Sequence, residues 1–138
     1  IEDLPDFSIQ RINIMSHMNA GSIEGIKIYD FNQANKNLHK KMMYNSSINF
    51  HGCSFAEGMY GTEAMTYISN SFYSKGSSGI VRGFTSGSSS NYMFGGELIF
   101  SVDIEDVTSW GGKKELKTST QGEKCMYTTS AIYSTLKD

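Results

Sequence analysis

Two short apolar runs, RINIMS at 11–16 and SINF at 47–50, each lead straight into reactive side chains. His17 follows the first, and His51, Gly52 and Cys53 follow the second. Ile12 and Ile14 alternate with polar neighbours, which is the period of a strand. A chain that alternates such strands with helices folds into a largely parallel sheet, and in open sheets of that kind the chemistry lies beyond the carboxyl ends of the strands. The order of elements therefore decides what His17 and Cys53 can do.

After the turn residues of MNAGS, GIKIYDF at 25–31 reads as a short strand or hairpin arm. Asn32 is placed to cap a helix over 33–43, with Ala34, Leu38 and Met42 at helical spacing. Asn45-Ser46-Ser47 breaks that helix and opens the strand into Phe50. Thr62 caps a second helix, TEAMTYISNSFY, with Met65, Ile68 and Phe72 on one face. GIVRGFT at 79–85 reads as a third strand, and SGSSSN at 86–91 as low-complexity chain. ELIFSVDI at 97–104 alternates cleanly and suits a strand with one exposed face in an antiparallel pair. WGGKKELKTST reads as a loop, and CMYTTSAIYSTL fits strand or helix equally.

A chain of 138 residues is long enough for one domain with a core of its own. A net charge of −2 argues against nucleic-acid binding through a broad basic surface. No apolar run approaches the ~20 residues of a membrane span. The two cysteines, Cys53 and Cys125, sit in unlike contexts and predict no disulfide framework. Abundant Ser, Asn, Gly and Tyr suit a bacterial protein that is secreted or delivered into a host cell.

If the two reactive strands are parallel neighbours, about 4.8 Å apart, His17 and Cys53 face each other at one sheet edge. A free thiol is only a few per cent thiolate at neutral pH, and a nearby imidazole accepts its proton and later protonates an amine leaving group. Backbone N–H groups of Met18 and Cys53 are placed to hold the oxyanion of a tetrahedral intermediate. Gly52 and Ser54 are small enough to let a peptide approach.

This layout resembles the caspase-like cysteine peptidases: caspases, gingipains, clostripain and the self-cleaving protease domains of large bacterial toxins. In that superfamily one hydrophobic strand ends in His-Gly and the next parallel strand ends in a small residue and the catalytic Cys. Here the blocks read INIMSH and INFHGC, NAGSIEG resembles the turn and hairpin after the histidine, and GIVRGFT resembles the next core strand. The resemblance covers roughly residues 10 to 85. It implies a three-layer α/β/α sandwich with a mostly parallel sheet, a single domain over 1–138, and a thiol endopeptidase acting on itself or on a host protein, without a cofactor. Met18 stands where the family usually has Gly: the backbone N–H survives, while the side chain is placed to crowd the cleft. The family's strands before the histidine strand are expected upstream of Arg11, where only ten residues stand.

Other readings compete. A non-catalytic binding module or adaptor of the same fold fits if Met18 marks lost function, and a buried structural cysteine is the ordinary fate of a residue like Cys53. His51 reads as packing, with the alternative that it is the working base. A metal site from His17, His51 and Cys53, with His39 or an acid, lacks any short ligand pair. Lys113, Lys114 and Lys117 form a small basic group, an ordinary solvated face or, as in some toxin relatives, a site for an anionic activator such as an inositol phosphate. Arg82 interrupts Ile80, Val81 and Phe84. It is an outward-facing residue or, with Ser54 and Thr85, part of a pocket for an acidic substrate side chain. Asp103 and Glu105 are the corresponding candidates for a basic one.

Overall fold

The computed structural model describes residues 3–28, 40–73, 76–86, 88–89, 99–100, 108–109, 111–129 and 134–135. The principal strands are β1 (Ile9–Met15), β5 (Met42–Phe50), β6 (Gly79–Phe84), β10 (Lys113–Thr118) and β11 (Lys124–Thr129). Two-residue strands supply the rest: β2 (Met18–Asn19), β3 (Ser22–Ile23), β4 (Ile26–Lys27), β7 (Ser88–Ser89), β8 (Ile99–Phe100), β9 (Thr108–Ser109) and β12 (Ser134–Thr135). Helix α1 spans Gly58–Phe72. The main sheet runs β11-β10-β6-β5-β1-β8, and small sheets are formed by β2-β3-β4 and β12-β9-β7.

This corrects the three-layer α/β/α expectation. Among the described residues of the main sheet only β1–β5 and β5–β6 pair in parallel, whereas β6–β10, β10–β11 and β1–β8 are antiparallel. Among the described residues α1 is the sole α-helix, so the protein is mostly β with a mixed sheet. The helix expected over 33–43 fails at its carboxyl end, because β5 already begins at Met42; residues 33–39 lie outside the described residues. Met42 is fully buried in the core as a strand residue. The polar Asn45-Ser46-Ser47 marks an irregularity inside β5: five steps of β5, from Met42 to Ser47, oppose two of β1, from Ile9 to Arg11. Asn45 absorbs it with a left-handed φ of 57°. The loop expected around KKELKT is β10, paired on both sides, and the ambiguous stretch after it opens with β11. Of 97–104, only Ile99–Phe100 is described, antiparallel to β1 as the alternation suggested.

One sheet face carries Ile48, Phe50, Val81 and Leu116 against Ala64, Met65 and Ile68 of α1. Phe55 stacks on Phe50 with ring centroids 4.1 Å apart. The helix begins four residues before Thr62, with Glu57 at its N-cap and no side-chain capping bond. Met18, Ile23 and Ile28 of the β2–β4 segment join this core. Alternation sends Asn13, Met15, Asn49, Arg82, Phe84 and Glu115 to the opposite face, where Met15 and Phe84 are also fully buried.

Candidate active site

Parallel pairing of β1 with β5 sets the site. The register matches Asn13 with Asn49 and Ile14 with Phe50. His17 lies three residues past Ile14, and Cys53 lies three past Phe50. The bond from His51 N–H to Ile14 O (2.8 Å) carries the pairing beyond the last matched pair. Both reactive residues therefore stand at the carboxyl edge of two adjacent parallel strands, His17 exposed and Cys53 half-buried.

Each is held by a defined turn. From Cys53 the chain bends through Ser54, whose φ is 54°. It is then sewn to the end of β6: Ser54 N–H donates to Ser86 O (2.7 Å) and Ala56 N–H to Phe84 O (2.8 Å). Ser54 and Thr85 are thus neighbours of the Cys53 loop, both half-buried. Arg82 sits lower, within β6. Its Nε donates to Glu115 Oε2 (2.7 Å) and its Nη1 to Asn49 Oδ1 (3.4 Å), with 17 % of the side chain exposed.

Met18 does not crowd the cleft. It is buried in the core and lies against Gly52, where an added Cβ would come within 2.2 Å of Met18 Cγ. The Met18–Ile23 pair of β2 and β3 is flanked by the bond from Glu24 N–H to His17 O (2.9 Å). By the alternation of antiparallel ladders, the Met18 N–H points away from β3.

Glu24 is the residue that sequence reasoning missed. Its Oε1 accepts the Ser16 hydroxyl and, at 3.3 Å, the His17 backbone N–H. A second omission lies beneath the edge. Asn13 Oδ1 faces His51 Nε2 (3.1 Å) and accepts from Asn49 Nδ2 (2.9 Å). The signal was present in sequence, as an asparagine inside each apolar run: Ile12-Asn13-Ile14 and Ile48-Asn49-Phe50. His51 is 3 % exposed, its Nδ1 is buried without a hydrogen-bond partner, and burial, then the charge of Arg11, lowers its pKa to about 4.

The remaining candidates are scattered. Cys125 is exposed on β11 and pairs with Lys117 of β10, itself opposite Ile80 near the amino end of β6. That is the far edge of the sheet from Cys53, and neither cysteine is in a disulfide. Lys113 and Lys117 project from one face and Lys114 from the other, where its Nζ donates to Gly58 O (3.1 Å) and Thr62 Oγ1 (2.9 Å). The three lysines form no single patch. Among the described residues no group of three His, Cys, Asp or Glu is placed to hold a metal ion, and no helix is long and apolar enough to cross a membrane. His39, Asp103 and Glu105 lie outside the described residues. Comparison with protein families, with curated proteins and with solved structures finds no match.

Proposed function

We propose that this chain is a thiol-dependent endopeptidase with Cys53 as nucleophile and His17 as acid and base. The observation that carries the reading is the parallel β1–β5 register, which sets the two residues equally far beyond paired positions at one sheet edge. The likeness to caspase-like peptidases supports the residue pair and its two flanking strands; it does not extend to the layers of the fold.

In this scheme His17 accepts the Cys53 thiol proton as sulfur bonds to the scissile carbonyl carbon. The carbonyl π electrons move to oxygen, and the N–H groups of Met18 and Cys53 stabilise that charge. Collapse breaks the C–N bond, and His17 gives its proton to the departing amine. Water then attacks the thioester, losing a proton to His17, and the thiolate leaves and recovers that proton. Ser54 and Thr85 border the nucleophile and wall the bound peptide.

Alkylation by a small iodoacetamide probe tests the assignment. Exposure alone favours Cys125 over half-buried Cys53. An activated Cys53 reverses that order, and His17→Ala abolishes the reversal. Cys53→Ala and His17→Ala each remove peptide turnover in a folded protein, while Cys125→Ala retains it. Labelling that follows exposure, in a protein that cleaves nothing in a peptide library, would sink the reading.

A further inference from the structure

We infer that Glu24 is a positioning residue for His17, an inference that rests on the peptidase reading above. Residue 24 grips the His17 turn from two sides. Its main-chain N–H donates to His17 O (2.9 Å), and its carboxylate accepts the His17 N–H (3.3 Å) together with the hydroxyl of Ser16. Ser16 is 2 % exposed whereas Glu24 is exposed, so the hydroxyl is shielded from water at its own end of the bond and the carboxylate reaches it from the surface. Ser16, which connects β1 to the candidate base, and His17 itself are thereby tied to one side chain.

The backbone of Glu24 points the same way. Glu24 and Gly25 close the β3–β4 hairpin with φ of 51° and 80°. Two-residue hairpin turns with both φ values positive select Asn-Gly, Asp-Gly or Gly-Gly, because short side chains or none tolerate the left-handed region. Glutamate at the first position is a poor turn former. A left-handed non-glycine residue persists where its surroundings require it, and such outliers cluster at functional sites. Here the longer side chain gives reach: the turn places the carboxylate back at Ser16 and His17, in the link between β1 and β2. An imidazole mounted on a loosened turn would sample other orientations, and misplacement of a reacting group by about 1 Å costs on the order of 100-fold in rate.

Glu24→Gly keeps a residue that adopts the turn freely while deleting the carboxylate. Its turnover of a fluorogenic peptide should fall about 10- to 100-fold with KM within about twofold. Glu24→Gln retains an acceptor oxygen and should recover most of the rate. In hydrogen exchange, the His17 amide of Glu24→Gly should exchange at least about 10-fold faster while Asn13 and Ile14 keep their protection. Wild-type turnover in Glu24→Gly, with Cys53→Ala and His17→Ala inactive, would overturn the positioning role and leave the peptidase reading standing. If wild type cleaves nothing, the peptidase reading fails by itself, and unchanged His17 exchange in Glu24→Gly then refutes the anchoring independently.

Discussion

Acidification should destabilise this protein through His51. The ring is 3 % exposed, and burial with the nearby Arg11 charge lowers its pKa from 6.5 to about 4. The folded state holds the imidazole neutral while the unfolded chain protonates it near its ordinary value. Between these two pH values the unfolded state binds more protons, so stability is complete above about pH 6.5 and is lost as pH falls towards 4. At pH 4.5 the loss from this one group is about 2–3 kcal/mol relative to pH 7.5. That is a large part of a total stability of roughly 5–15 kcal/mol. Carboxylates also titrate in this range, so the comparison needs a non-titrating control. His51→Gln retains an N–H donor for Asn13 Oδ1 and carries no ionisable ring. Urea unfolding of both proteins at pH 7.5 and 4.5 reads the difference. Wild type should lose about 2–3 kcal/mol more than the variant. Losses that agree within about 0.5 kcal/mol would refute the argument that burial of His51 sets the acid limit.

Two further tests concern packing and charge. Met18→Ala should cost about 2–4 kcal/mol in urea unfolding by emptying core volume, and Gly52→Ala about 1–3 kcal/mol by driving a Cβ into Met18. The double variant should cost clearly less than the sum, because the truncated side chain makes room, whereas additive losses would deny the contact. Arg82→Met should destabilise by about 2 kcal/mol, since it leaves Glu115 half-buried without its cation, and Glu115→Gln in the same background should restore part of the loss; an unchanged midpoint in Arg82→Met would show the pair to be immaterial.

Strand β1, the helix face of Met65 and Ile68, and the paired apolar runs were legible because periodicity reports one buried face directly. The carboxyl-edge placement of His17 and Cys53 followed from the same pattern. Strand β10 was hidden by its lysines: in KKELKT only Leu116 is apolar, and the strand forms because β6 and β11 supply ladders on both sides. Met42 misled in the opposite direction, since an apolar residue at helical spacing from Leu38 serves equally well in a strand once β5 absorbs its extra residues around Asn45. Glu24 was illegible for a different reason. Its role depends on a left-handed turn and on a reach across seven or eight residues to His17 and Ser16, and neither leaves a periodic trace.

The buried network also bears on which of the two histidines at the edge suits the proposed base. Arg82 can only donate hydrogen bonds, so the Asn49 atom facing it must be the acceptor Oδ1. Asn49 then turns Nδ2 toward Asn13, and Asn13 presents Oδ1. An acceptor there obliges His51 to donate through Nε2–H. The basic lone pair of the neutral ring is consequently left on Nδ1, which is buried without a partner. For His51 to act as base, Nδ1 would have to take up a proton where nothing accepts its N–H, and the resulting cation would face the charge of Arg11. His17, by contrast, is exposed, and its backbone is held at the sheet edge by Glu24. The polarity set by one arginine on the adjacent strand β6 therefore gives His51 the task of joining β1 to β5, and favours His17 as the acid and base of the proposed peptidase.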